Sequence, residues 1–233
     1  GIPAGIIKGA SDLCVELGIK LLGGHTIYNP QIFFGLSVTG IAELSHLKLN
    51  DQAVPGDLIY LTKPLGTGIM STAMKKESLF ADDGTEMLKQ LILPNKLGSV
   101  LGQYKYVNCM TDVTGFGLIG HLAEICTASW VSAKLYMNKV KTLPNLGDYL
   151  EMGILTSGGK TNWENNRCYV NGIDEHSAAI LSDPQSNGGL LITIDPRYRN
   201  EFENVLVEQG LGEFSEPIGE IVPNQDPLLD VIV

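Results

Sequence analysis

A predicted strand that runs straight into a predicted helix through a glycine turn is the feature that most constrains this chain. The apolar run Tyr106–Met110 is typical of a buried strand. After it, apolar residues recur at helical spacing, at Leu118, Leu122 and Ile125. The segment between the two, Thr111–Gly117, therefore turns the chain at the start of a helix. Such a turn gathers free backbone N–H groups and the positive end of the helix dipole, and both attract phosphate.

Asp112 and Thr114 lie in this turn, beside two glycines. Gly115 and Gly117 allow a ligand to approach the backbone, because glycine has no Cβ atom. A carboxylate at the strand end does not bind phosphate directly, but it can hold a magnesium ion that does. The alternative is that Asp112 and Thr114 only cap the helix, which is a common role for both residue types. The local pattern leaves both interpretations open.

The charge and the cysteines narrow the partners and the compartment. A formal net charge of −10 argues against nucleic-acid binding, which favours a basic face, but not against nucleotides, whose charge a metal ion offsets. The sequence has no run of about 18 apolar residues that would predict a membrane span, and no secretory pattern at its start. Free thiols are favoured over a metal cluster, because no CxxC pair occurs among Cys14, Cys109, Cys126 and Cys168. We therefore expect a cytoplasmic protein without nucleic-acid or membrane partners.

Helical and strand patterns interleave along the chain without a regular βαβ rhythm. We therefore predict an α+β fold with a mixed or antiparallel sheet. A helix is predicted over residues 4–18 and a long strand over Phe33–Ala42. The polar stretch that ends in Val54–Asp57 carries a Pro-Gly pair and marks a boundary between two modules. These modules are residues 1–50, with a helix and sheet strands, and residues 56–233, a larger α+β domain.

Three further glycine-rich segments each allow two interpretations. Gly23–Ile27 is either backbone opened for a ligand or a glycine turn with a satisfied histidine. Lys63–Gly68 is not a Walker loop, because its lysine precedes the glycines, and a helix cap with a solvated lysine is favoured over a ligand loop. Ser182–Gly189 is either a tight loop or a polar rim over a ligand. His121 and Glu124 share a helix face at a spacing that can bind metal, although a structural histidine is favoured.

Five segments, taken together, resemble the selenophosphate synthetase family in their order and spacing. They are Gly23–Ile27, Phe34–Gly40, Leu61–Gly68, Thr111–His121 and Asp183–Leu191. The resemblance covers nearly the whole chain. It implies an ATP-dependent enzyme that converts selenide, ATP and water into selenophosphate, AMP and phosphate. It also implies a homodimer and a two-module α+β fold shared with aminoimidazole ribonucleotide synthetase, thiamine-monophosphate kinase and a hydrogenase-maturation protein.

The resemblance also implies roles for individual residues. Asp112 matches the family's magnesium-binding aspartate, which makes Mg²⁺ the expected metal. Positions that match ATP-contacting residues are Gly24, His25 and Thr26 in one turn and Thr114, Gly115 and Gly117 in the turn near the phosphates. Residues 1–50 would be the remainder of the ATP-binding and dimerisation module.

The sequence departs from the family pattern in three respects. The family's catalytic Cys or selenocysteine, a nearby lysine and further aspartates would all precede Gly1, so we assign no catalytic residue and expect a truncated first module. We expect the chain alone to be inactive, because a lone aspartate gives magnesium too few ligands. Tyr28 stands where an acid is usual, and Ser186 and Asn187 replace a Thr-Ser pair. Two alternatives remain: a related ATP-using enzyme of the same fold, and a non-catalytic paralogue that acts as a dimer or regulatory partner.

Overall fold

The computed structural model describes the whole chain, residues 1–233. It divides into two compact units, Gly1–Ala42 and Glu43–Val233. The division into modules 1–50 and 56–233 stays a prediction. None of the helices combines the length and the apolar character that a membrane crossing requires.

The first unit contains one helix, α1 (Ile2–Glu16). Pro3 lies in its first turn, where proline is tolerated because the N–H that it lacks would have no helical partner. The helix ends just before Gly18, which has a φ of +69°. Residues 19–42 form neither helix nor strand, so the strand predicted over Phe33–Ala42 is wrong. A strand needs a hydrogen-bonding neighbour, and this unit contains no other strand with which the segment could pair.

The second unit contains seven strands and eight helices of the α type. The strands are β1 (Leu58–Leu61), β2 (Val107–Asp112), β3 (Val131–Tyr136), β4 (Val170–Asn171), β5 (Leu190–Ile194), β6 (Gly219–Pro223) and β7 (Leu229–Ile232). The helices are α2 (Thr67–Lys75), α3 (Asp83–Ile92), α4 (Leu97–Leu101), α5 (Gly117–Ser129), α6 (Leu146–Glu151), α7 (Ser157–Asn166), α8 (Glu175–Ser182) and α9 (Arg199–Glu208).

The seven strands form one sheet in the order β2-β5-β1-β6-β3-β7-β4. The pairs β3–β7 and β7–β4 are parallel, and the other neighbours are antiparallel. The prediction of an α+β fold with a mixed sheet is therefore confirmed.

Both faces of this sheet are covered, which explains why its central strands are continuously apolar. Ile59 and Leu61 of β1 belong to a buried cluster that includes α5. Tyr60, between them, points to the opposite face, where its ring lies 4.7 Å from that of Phe202 in α9. All five residues of β5 are buried.

The pairing of β2 with β5 fixes the position of the glycine turn. Asp112, the last residue of β2, pairs with Leu190, the first residue of β5. Because the two strands are antiparallel, the segment that leads into β5 reaches the sheet where the turn after β2 leaves it. Residues 183–189 therefore lie against the Thr111–Gly117 turn.

Candidate functional site

Asp112 ends β2 with an exposed side chain. The next residue, Val113, is fully buried, and its N–H donates to the carbonyl of Gly189 at 2.8 Å. The change from exposed to buried at consecutive residues is the ordinary alternation of a strand. The Asp112 carboxylate is thus exposed to solvent, while the backbone next to it is fixed by the hydrogen bond between Val113 and Gly189.

Thr114 has both sides of its backbone fixed. Its N–H donates to Nε2 of His121 at 3.0 Å. Its carbonyl accepts from the N–H of Gly117 at 3.1 Å and from the N–H of Gln185 at 3.0 Å. These three bonds determine the shape of the turn, while the Thr114 side chain remains partly exposed.

The helix that follows, α5, begins without a side-chain cap. Its N-cap residue is Phe116, and no side chain accepts from the first backbone N–H groups. The interpretation that Asp112 and Thr114 cap the helix is therefore wrong, because both lie before the N-cap position. The first N–H groups of a helix have no partner within the helix and need water or a ligand when no side chain caps them. The N–H of Gly117 already donates to the carbonyl of Thr114, so the exposed N–H groups of Gly115 and Phe116 are the ones open to an anion at the start of α5.

The two glycines of the turn differ in their surroundings. A Cβ atom on Gly115 would meet nothing within 4 Å, so the backbone is open there. Gly117 has a φ of +69°, and a Cβ on it would lie 2.7 Å from the carbonyl carbon of Ser182. Packing against the end of α8 therefore accounts for Gly117, whereas an open approach to the backbone remains at Gly115.

His121 supports the turn from the second turn of α5. Its Nε2 accepts from Thr114, which places the ring proton on Nδ1, a buried atom without a hydrogen-bond partner. Burial lowers the pKa of His121, and the charges of Glu124 and Asp112 partly offset this effect. The chain contains no group of three His, Cys, Asp or Glu residues arranged to hold a metal. The structural interpretation of His121 rests on its hydrogen bond to Thr114, for which the sequence carries no local signal.

In the second glycine turn, Lys63–Gly68, side chains of the protein itself accept from the backbone N–H groups. Oε1 of Gln185 accepts from the N–H groups of Gly66 and Thr67, at 3.0 and 3.2 Å. Oδ2 of Asp183 accepts from the next two N–H groups at the start of α2, at 3.0 and 3.2 Å. The favoured interpretation as a helix cap is thus correct, and the N–H groups of residues 65–68 are all occupied by groups of the protein.

The expected solvation of Lys63 is wrong, because this side chain is only 3% exposed. Its ammonium group donates to the carbonyls of Leu93 at 2.6 Å and Asn187 at 2.8 Å. Burial lowers the pKa of Lys63 to about 8. The lysine therefore joins the segment after α3 to the loop before β5.

The loop Ser182–Gly189 is mostly a tight internal connection. Asp183 and Gln185 are buried, whereas Ser186 and Asn187 are exposed. Burial raises the pKa of Asp183 to about 7, although several hydrogen bonds to the carboxylate act in the opposite direction. The tight-loop interpretation fits the first part of this segment, and a polar rim is confined to the exposed pair.

The raised pKa of Asp183 predicts a falling stability between about pH 4 and pH 7. In this interval the folded chain binds a proton that the unfolded chain has released, so the free energy of unfolding decreases as pH rises. The decrease can reach a few kcal/mol, since each unit of pKa difference corresponds to about 1.4 kcal/mol. Urea denaturation across this interval should show a flatter profile for Asp183→Asn than for the wild type. Parallel profiles would contradict the assignment.

In the first unit, Gly24, His25 and Thr26 line a cleft of about 520 Å³. Side chains of α1, among them Ile6 and Ile7, form one side of this cleft. The volume is typical of small-molecule sites. The turn therefore lies beside an apolar cleft.

Solved structures with the same fold include a hydrogenase maturation protein and a thiamine-monophosphate kinase. The hydrogenase maturation protein HypE in complex with ATP matches with a TM-score of 0.55 and 18% identity, over 76% of this chain and 45% of that chain. Thiamine-monophosphate kinase from Stenotrophomonas maltophilia K279a matches with a TM-score of 0.54 and 17% identity, over 79% of this chain and 52% of that chain. At these identities the likeness establishes the fold alone.

Closer similarity is found to proteins named selenide, water dikinase. The one from Colwellia psychrerythraea is 38% identical over 227 residues, which are 97% of this chain and 65% of the relative. The one from Pseudomonas putida is 40% identical over the same shares of both chains. The one from Shewanella sp. (strain MR-4) is 40% identical over 201 residues, 86% of this chain and 57% of the relative. The chain thus spans less than two thirds of the length of these relatives.

The sequence profile described as "AIR synthase related protein, C-terminal domain" matches residues 54–231. This match takes in every strand of the sheet, the turn after β2 and the loop before β5. The chain therefore belongs to the AIR synthase related family, and its curated relatives are selenide, water dikinases.

Proposed function

We propose that the whole protein to which this chain belongs is a selenide, water dikinase, which forms selenophosphate from selenide, ATP and water and releases AMP and phosphate. The observation that carries this proposal is the contrast between the two glycine turns. The turn before α2 has its N–H groups occupied by Asp183 and Gln185. The turn before α5 has no side-chain cap and lies next to the exposed carboxylate of Asp112. The identities with dikinases across 97% of the chain support the same conclusion.

The binding roles follow from these positions. The open backbone at Gly115 and the partly exposed hydroxyl of Thr114 bind and orient phosphate oxygens at the start of α5. The fixed peptide of Thr114 keeps this turn in one shape, so little ordering is required when the ligand arrives. We assign Gly24, His25 and Thr26 to nucleotide contacts, on the basis of the resemblance and the cleft that these residues line.

Asp112 suits a magnesium ion. Mg²⁺ usually takes one or two carboxylates, several waters and substrate phosphates rather than a complete protein cage. The exposed carboxylate beside the uncapped helix start contributes one ligand to such a set. When bound, the ion supplies neutralisation of charge on the phosphates. The homodimeric state and the cytoplasmic location remain predictions.

The proposed reaction predicts that AMP and phosphate are released only when selenide is present. The whole protein should be incubated with ATP and Mg²⁺, with and without selenide under anaerobic conditions. Phosphate is measured with malachite green and AMP by chromatography. Formylglycinamidine ribonucleotide and thiamine monophosphate replace selenide in parallel reactions, because a related enzyme of the same fold would respond to one of them. ATP consumption that depends on either of these compounds, and not on selenide, would reject the proposal.

The 233-residue chain by itself is expected to show no turnover. It contributes one carboxylate at the phosphate turn and contains no group of three potential metal ligands. Titration calorimetry of the whole protein with Mg²⁺ and a non-hydrolysable ATP analogue addresses the remaining alternative, a non-catalytic paralogue. Tight binding without any turnover in the whole protein would favour that alternative.

A further inference from the structure

Asp183 is fully buried and surrounded by hydrogen-bond donors. Its Oδ2 accepts from the backbone of Gly68 and Ile69 at the start of α2, and from Nε2 of Gln185 at 2.9 Å. Its Oδ1 lies 3.4 Å from the hydroxyl of Thr156, the N-cap of α7. The carboxylate therefore occupies the kind of position that a bound anion takes at a helix start.

Gln185 connects this buried carboxylate to the open phosphate turn. Its Nε2 donates to the carboxylate and also to the carbonyl of Asp183 at 2.7 Å, which fixes the side chain. Its Oε1 accepts from the hydroxyl of Thr67 at 3.1 Å, in addition to two N–H groups of the α2 turn. Its backbone N–H donates to the carbonyl of Thr114 at 3.0 Å. One residue thus bonds to both glycine turns.

The backbone segments on either side of Gln185 are packed closely against the two glycine turns. A Cβ atom on Gly68 would lie 2.4 Å from the carbonyl oxygen of Pro184, and one on Gly188 would lie 2.0 Å from that of Val113. The backbones on either side are therefore in direct contact. A displacement of Gln185 is transmitted to Thr114 rather than absorbed by flexible side chains.

We propose that Asp183 and Gln185 are positioning residues for the nucleotide-phosphate turn, and that the negative charge of Asp183 is required to hold the Thr114 peptide in its ligand-binding shape. This inference rests on the proposed function, because it assumes that the Thr114 turn receives phosphate. Neither residue is assigned a contact with the ligand.

The groups that face Asp183 from the surrounding elements are uncharged. α2 presents backbone N–H groups, the start of α7 presents the Thr156 hydroxyl, and the loop presents the Gln185 amide. Lys160 and Glu175, near the starts of α7 and α8, are exposed and line a separate cleft beside Thr156. With a pKa raised to about 7, Asp183 loses its charge within an accessible pH range.

Two other titratable groups, His121 and Lys63, contact the Thr114 turn and the loop before β5, and they limit the pH range in which Asp183 can be studied. His121 contacts Thr114, but burial lowers its pKa below the ordinary 6.5, so it remains largely neutral above that pH. Lys63 contacts Asn187 and has a pKa lowered to about 8. Lys63, the terminal phosphate of the nucleotide and, below pH 6.5, His121 also titrate between about pH 7.5 and about pH 6, so the change specific to Asp183 is the difference between the wild type and an Asp183 variant.

The test is the affinity of the whole protein for a non-hydrolysable ATP analogue with Mg²⁺, measured by titration calorimetry across this interval. We expect the wild type to lose affinity five- to tenfold as Asp183 takes up one proton. Asp183→Asn should bind about tenfold more weakly at pH 7.5 and show little further change at lower pH. Asp174→Asn is the control, because Asp174 also accepts from a backbone N–H at a helix start, that of α8, but is exposed and does not contact the turn. It should follow the wild type.

Gln185→Glu provides a second variant if Asp183→Asn does not fold. It removes the amide donor and sets a second carboxylate beside Asp183, so the loss of affinity should begin at a higher pH. Wild-type affinity that is unchanged across the interval, or Asp183→Asn affinity equal to that of the wild type, would overturn the inference and leave the proposed function intact. If the wild type does not bind the analogue at any pH, both are rejected.

Discussion

Replacement of Asp112 by alanine is expected to reduce selenide-dependent release of AMP and phosphate by the whole protein by about a hundredfold or more. A metal ion at a phosphoryl-transfer site contributes several kcal/mol, and a factor of ten in rate corresponds to about 1.4 kcal/mol. The carboxylate is the only acidic group of the phosphate turn, so no neighbour within residues 111–117 can replace it. Initial rates at saturating ATP, with Mg²⁺ varied, provide the measurement.

Stability separates a loss of metal binding from a loss of folding in this variant. The Asp112 side chain is exposed, so the free energy of unfolding should change by no more than about 0.5 kcal/mol. Asp148→Ala, at an exposed aspartate in α6, is the matched control and should retain full activity. An Asp112→Ala protein with wild-type rates would remove the metal role that we assign to this residue.

The second large effect is expected in stability. Gly117→Ala should lower the free energy of unfolding by about 3 kcal/mol, from about 1 kcal/mol for a left-handed backbone and the rest for a backbone collision. The new Cβ would lie 2.7–2.9 Å from backbone atoms of Leu181 and Ser182, which cannot rotate away as a side chain would. Urea denaturation followed by circular dichroism measures this change.

Two further glycines separate the contributions. Gly153→Ala has a similar φ of +71° but an open environment, so it should cost only the left-handed penalty of about 1 kcal/mol. Gly115→Ala meets nothing within 4 Å and has no positive φ, so it should leave stability nearly unchanged while weakening binding of the ATP analogue. If Gly117→Ala and Gly153→Ala lowered the free energy of unfolding equally, the backbone at the end of α8 would have moved to accommodate the new Cβ atom at little cost.

The strand, turn and helix around Asp112 were predictable because their signals are local. Tyr106–Met110 and the helical spacing from Leu118 to Ile125 each lie within one element, and the structure has β2 and α5 at these places. The apolar β1 and β5 were recognisable for the same reason, since each is buried on both faces. The spacing of apolar residues indicates which face of an element is buried, and this information was sufficient to predict these strands and this helix.

The remaining errors concern partners that are distant in the chain. Phe33–Ala42 has a composition that suits a strand, but periodicity does not reveal whether a neighbouring strand exists. The sequence around Lys63 predicts a solvated lysine, because one of its acceptors, the carbonyl of Asn187, lies 124 residues later in the chain. The hydrogen bond from Gln185 to Thr114 has no local signal either. Contacts of this kind depend on the strand order of the sheet, which the residue pattern alone did not determine.

The strand order also has a consequence for biosynthesis. β5 lies between β1 and β2, and the hydroxyl of Thr62 accepts from Leu190, 128 residues away in the chain. A sheet in which two early strands are joined by one synthesised so late has a high contact order, which slows folding. On the ribosome, β1 and β2 emerge long before the strand that joins them, so the nascent chain carries unpaired strand edges for most of its synthesis. Until β5 is synthesised, these edges are places where the nascent chain can pair with other chains.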